Sequence, residues 1–100
     1  MTKEFNLGRI VLTKTVDAKM KSDPAFQRFV TLSLGKHIRN NWGNVSPEDR
    51  QRNDEAIDGG ERIHSVYYRP GMKKDEPERA IWIITEADRS ATTILFPDEY

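Results

Sequence analysis

One hundred residues, with sixteen basic side chains balanced by sixteen acidic ones and no cysteine, describe one small domain that needs no covalent staples. Disulfides, thiolate chemistry and Cys-ligated zinc are excluded, and no apolar run approaches the ~18 residues of a membrane span. The N-terminus carries no signal-peptide core, so the expectation is a soluble, cytoplasmic protein with no membrane partner.

The charge is balanced overall but not evenly spread. Residues 1–45 hold eight basic against three acidic residues, and residues 46–100 hold eight against thirteen. The two halves attract, which suits docking of a helical first half on a sheet built from the second. The alternative use of the same asymmetry is a basic face kept for a polyanion.

Phe5–Thr13 reads as a first strand, with Leu7, Arg9, Val11 and Thr13 on one face and Ile10 and Leu12 on the other. Gly8 inside it marks a bulge or the close approach of another backbone. From Thr15 the spacing turns helical through Val16, Lys19 and Met20, and this short helix stops before Ser22-Asp23-Pro24. Asp23 at the cap and Pro24 at the first helical position open a second helix. Its apolar stripe is Phe26, Phe29, Val30, Ser33 and His37, widened by Leu34 and Ile38, with Phe29 expected at the centre of the core.

Ser46-Pro47-Glu48-Asp49 is a third helix start, Ser46 accepting the amide of Asp49, and Gly59-Gly60 supplies a left-handed exit. Only Ala56 and Ile57 are apolar on this helix, so caps and side-chain hydrogen bonds must help to hold it. A second strand covers Arg62–Tyr68, followed by a charged, Pro/Gly-punctuated loop from Pro70 to Pro77, the expected mobile segment. Ile81–Ile84 is apolar at every position and wants cover on both faces, as inside a sheet. Thr92, Ile94 and Phe96 share one face of its partner strand, and Thr93 and Leu95 the other. Between them Glu86–Ser90 has no glycine, which favours a longer loop on a type I turn over a two-residue primed turn.

The expected fold is therefore α+β in the order β-α-α-α-β-β-β. The last three strands form an antiparallel meander, the N-terminal strand joins one of its edges, and the helices pack mainly on one face.

Three groups of residues are candidates for chemistry. His37 and His64 are the only histidines; with Glu86 or Asp88 they could hold zinc or move protons, but no HExxH-type spacing links them. His37 lies on the apolar stripe, where a hydrogen-bonded core histidine is the ordinary outcome. Asp49, Asn53, Asp54 and Glu55 crowd two helical turns and read either as a cation or nuclease-like cluster or as a capped polar helix. Glu86, Asp88, Arg89 and Ser90 tip the last hairpin; Asp88 could equally close an Asx-turn and Arg89 pair with Glu86. From these, Trp42, Asn53, Tyr67, Trp82, Glu86, Asp88 and Arg89 are expected to converge on one interaction face. No nucleophile elbow or phosphate loop is present, and no catalytic residue, metal ligand or cofactor is assigned.

Trp42-Gly43, Glu48-Asp49, Asn53–Ala56, Gly60, Arg62, Ser65 and Tyr67 form one familiar set; Ile81–Glu86, Asp88–Ser90, Thr92–Pro97 and Glu99-Tyr100 form another. With Leu7-Gly8 and Ile10-Val11 they resemble a family of small uncharacterised bacterial proteins carried on plasmids and prophages, some labelled plasmid-related proteins or associated with restriction systems. The resemblance covers most of the chain, the Lys73–Glu78 loop being longer than the family's. It implies a mobile-element setting and brings no activity, cofactor or catalytic residue. The functional expectation is a non-enzymatic protein-interaction module of unidentified partner. A nucleic-acid-associated protein using the basic N-terminal half is the alternative, and a small metal-dependent hydrolase the second alternative.

Overall fold

The computed structural model describes every residue except Met1, Lys74 and Pro77. Strand β1 (Arg9–Leu12) leads into helices α1 (Lys14–Ser22), α2 (Pro24–Ile38) and α3 (Pro47–Gly59). Strands β2 (Ile63–Tyr68), β3 (Ala80–Thr85) and β4 (Ala91–Leu95) follow, and a 3-10 turn over Pro97–Glu99 closes the chain. The α+β element order is the one read from sequence. The Pro70–Pro77 loop includes Lys74 and Pro77, which lie outside the described residues.

The sheet runs β1-β4-β3-β2, with β2-β3-β4 an antiparallel meander. β1 joins its β4 edge in parallel, Arg9 opposite Ala91 and Leu12 opposite Ile94, so the sheet is mixed and not antiparallel throughout. The reason is topological. The helices carry the chain across one face from β1 to the far edge, and β1 then runs alongside β4. Alternation of side chains looks the same in both kinds of ladder and could not decide between them.

β1 is also shorter than the expected Phe5–Thr13 strand. Gly8 turns the chain with φ +65°, its Cα set so close to the Arg89 and Ser90 backbone that a side chain has no room. Phe5 leaves the sheet plane to meet His37 and Trp42 at ring-centroid distances of 5.5 and 6.1 Å. At the other end Thr13 is already the cap of α1, its hydroxyl accepting from the Val16 amide at 3.3 Å.

Caps fix the helices where the sequence puts them. Asp23 accepts from the Ala25 and Phe26 amides, Ser46 accepts from Asp49 at 3.1 Å, and Gly60 leaves α3 left-handed at φ +71°. The side of the sheet facing α1 and α2 carries Ile63, Ser65, Tyr67, Ile81, Ile83, Thr85, Thr92, Ile94 and Phe96, all buried. Val16, Phe26 and Val30 pack on it, and each such burial is worth roughly 1.5–3 kcal/mol. Phe29, expected at the centre, sits half-buried on the flank; Phe26 takes the centre, stacked on Phe96 at 5.7 Å. A smaller cluster of Trp42, Ala56 and Ile63 ties α3 to the β2 margin.

Candidate interaction surface

The seven side chains expected on one face are divided between four places, and convergence is corrected accordingly. Trp42 and Tyr67 lie inside: the Trp42 indole donates to Asp54 at 2.8 Å, and the Tyr67 hydroxyl donates to the Asn41 carbonyl at 2.7 Å. Burial pushes the Tyr67 phenol above its ordinary pKa. Asn53 is buried at the β2 edge. Its Nδ2 donates to the His64 carbonyl at 2.8 Å and its Oδ1 accepts from the His64 amide at 3.2 Å.

The hairpin tip holds Glu86, Asp88 and Arg89. Asp88 closes an Asx-turn on the Ser90 amide at 3.0 Å; the Ser90 hydroxyl, and after it that amide, favour the charged carboxylate and keep its pKa below the usual range. The Arg89 amide donates to the Glu86 carbonyl at 2.9 Å, giving the longer loop the sequence implies, and Arg89 itself stands at φ +60°. Its guanidinium turns away from solvent to donate to the carbonyls of Ala56 (2.7 Å), Glu61 (2.6 Å) and Glu86 (3.1 Å). The Glu86 carboxylate pairs with Arg62 at 3.5 Å, not with Arg89. Only Trp82, of the seven, stands on the open side of the sheet with Glu86 at its margin.

His37 is fully buried, and both ring nitrogens are bonded: Nδ1 to the Ser65 hydroxyl at 2.6 Å and Nε2 to the Thr85 hydroxyl at 2.9 Å. The direction of the protons follows from the far end. Thr92 donates to the Leu7 carbonyl at 2.7 Å, so Thr85 donates to Thr92 at 2.8 Å. Thr85 must then accept from His37, which carries its proton on Nε2 and accepts at Nδ1 from Ser65. The chain Ser65–His37–Thr85–Thr92–Leu7 satisfies every member and pins the N-terminal segment to three strands and α2. Burial drives the His37 pKa down to about 3.

The three α3 carboxylates marked out by the sequence are likewise engaged, Asp49 with Arg52 at 3.2 Å, Asp54 with Trp42, and Glu55 with Gln51 at 3.1 Å. Among the described residues no three His, Asp or Glu side chains come together as a metal site requires.

The other side of the sheet carries Arg9 and Val11 on β1, Ala91, Thr93 and Leu95 on β4, Ala80, Trp82 and Ile84 on β3, and His64, Val66 and Tyr68 on β2. α1 and α2 pack on the opposite face, and α3 reaches this one only at the β2 margin, where Asp49 and Arg52 border a 240 Å³ hollow with His64 and Val66. What crosses it is the Pro97–Glu99 turn and Tyr100. The Arg62 guanidinium donates to the Tyr100 hydroxyl at 2.6 Å, and the ring sits 5.4 Å from Trp82 and 6.3 Å from His64. Ile84 and Leu95 are thereby 3% and 6% exposed, while Tyr100 remains 67% exposed and Val66, Trp82 and Thr93 are half-open. Burial and the Arg62 charge hold His64 below its ordinary pKa; its Nε2 is buried without a hydrogen-bond partner.

No protein-family model matches the chain, and no curated protein or solved structure does. The surface must therefore be judged on its own residues. Val66, Leu95 and Tyr100 belong to it and were not singled out from sequence. The available signal was the off-face set of each strand, apolar where a one-sided sheet would place polar residues.

Proposed function

We propose that this protein is a non-enzymatic interaction module that binds another protein through the open face of its sheet. One observation carries the reading: β3 is apolar on both faces, and on the open face partly exposed Trp82 and Val66 and exposed Tyr100 surround Ile84 and Leu95, with only the C-terminal turn, among the described residues, laid over them. A half-exposed tryptophan between aliphatic neighbours, with a polar rim of Arg62, Glu86 and Arg9, has the anatomy of a binding patch. The polar groups that the sequence offers for chemistry are meanwhile committed to holding the fold: His37 and Asn53 to strands, Asp54 to Trp42, Arg89 to α3.

The resemblance to plasmid- and prophage-borne proteins supports a host- or element-encoded partner, a restriction or defence component being the class it suggests. Affinity capture from cells carrying the parent element tests the reading. The wild type should retain a specific protein that is lost when Thr93→Arg and Val66→Glu charge the open face. Failure to recover a specific partner, or retention of the same partner by the doubly charged variant, ends it. Unchanged far-ultraviolet circular dichroism of that variant secures the comparison.

A further inference from the structure

α2 differs from its two neighbours in having no acidic residue between Pro24 and Ile38. Phe26, Val30, Ser33 and His37 turn inward. At 100° per residue the opposite side is Arg28, Leu32, Gly35 and Arg39, with Lys36 alongside. Six cations elsewhere are paired: Lys3 with Asp58, Lys19 with Glu78, Lys21 with Asp17, Arg52 with Asp49, Arg62 with Glu86 and Arg69 with Asp23. Arg28, Lys36 and Arg39 are exposed and have no salt-bridge partner among the described residues.

This stripe is not merely basic. Leu32, 57% exposed, rises between two hollows that share Arg28. One, of 350 Å³, is bounded by Pro24, Gln27 and Thr31; the other, of 310 Å³, by Ala25, half-buried Phe29 and Pro70. Arg28 and Arg39 stand eleven residues apart, about 16 Å along the axis at 1.5 Å per residue.

The geometry points to a second docking surface on α2, built for an acidic amphipathic helix of a partner protein. Three turns of such a helix set carboxylates against Arg28, Lys36 and Arg39 while apolar side chains enter the hollows on either side of Leu32. Charge complementarity selects the occupant, and the apolar part separates it from nucleic acid. A phosphate backbone has no use for the hollows, and the stripe offers no exposed aromatic ring for a base to stack on. The surface faces away from the sheet, opposite the open face proposed above, and stands independently of it.

Fluorescence anisotropy with the full chain tests the assignment. The probes are a labelled helical peptide of about four turns carrying Glu at the charged positions and Leu at the anchors, its Glu→Lys counterpart, and a single-stranded oligonucleotide of matched charge. The acidic peptide should bind, its lysine counterpart should not, and the double variant Arg28→Glu/Arg39→Glu should weaken binding at least tenfold. Leu32→Ser should weaken it several-fold at unchanged charge. Absence of peptide binding, preference for the oligonucleotide, or indifference to Leu32→Ser overturns the proposal. Because the substituted side chains point to solvent, thermal melts of the variants should match wild type within a few degrees; a collapse of the fold in both would remove the surface as an independent element and overturn it as well.

Discussion

Asn53 on α3 grips His64 of β2 by both of its outward backbone groups, one amide side chain replacing a missing neighbour strand. The next outward pair is closed by backbone: Val66 donates to the Trp42 carbonyl at 3.1 Å and accepts from the Asn44 amide at 2.6 Å, while the Asn44 side chain accepts from Tyr68. Gly43 makes this approach possible, since at φ +75° and against the Val66 carbonyl and Tyr67 ring no side chain fits. The β2 edge is thus sealed against strand addition by another chain.

Asn53→Ala should cost about 2–4 kcal/mol, because two backbone groups lose their partners in a site closed to water. For a chain of this size that is a fall of roughly 10–20 °C in melting temperature. Amide exchange gives the specific signature: His64 should exchange faster than Ile83 in the variant, beyond the change expected from lowered global stability. Parallel acceleration at both residues would mean that Asn53 merely packs.

Arg89 poses a sharper test, because its backbone and side chain pull in opposite directions. A left-handed conformation costs a residue with a Cβ about 1–2 kcal/mol, yet the guanidinium caps the carbonyl end of α3 with bonds to Ala56 and Glu61. Arg89→Ala removes the bonds and keeps the strain, so it should lose about 2–3 kcal/mol in urea unfolding. Arg89→Gly removes both and should lie roughly 1 kcal/mol above the alanine variant. An alanine variant as stable as the glycine one would show that the left-handed turn relaxes once the clamp is gone.

These residues show what the sequence could and could not disclose. Cap chemistry is local, so Asp23, Ser46 and Gly60 could be placed from spacing alone, as could the inward set Thr92, Ile94 and Phe96. Partners across the fold are not local. Asp88 closes a turn on a residue two positions on, which spacing reveals. Arg89 serves a helix some thirty residues earlier, which spacing does not. The same limit explains why sequence alone groups Trp42, Tyr67 and Trp82: each is a large ring with a polar edge, and only strand register separates inward Tyr67 from outward Trp82. The parallel pairing of β1 was hidden for a related reason, since it is set by where three helices deliver the chain.

His37 supplies the pH dependence. Its pKa in the folded protein is about 3, against about 6.5 in an unfolded chain, so between these values the unfolded state binds a proton that the folded state refuses. Stability from this group is therefore whole above pH 6.5 and falls as pH drops toward 3, by about 1.4 kcal/mol for each pH unit. His64, also depressed, acts in the same direction. The depressed Asp23 and Asp88 contribute stability that is lost only below the ordinary carboxylate range, so the interval from pH 6 to 5 isolates the histidines. Urea midpoints across that interval should fall steadily in the wild type. His37→Gln, whose amide can still donate to Thr85 and accept from Ser65, should start less stable but lose most of the slope. A wild-type curve flat between pH 6 and 5 would mean that His37 accepts its proton in place, with Ser65 turning its hydroxyl toward the Ile83 carbonyl 3.4 Å away, and that the proton chain deduced from Thr92 is reversible inside the core.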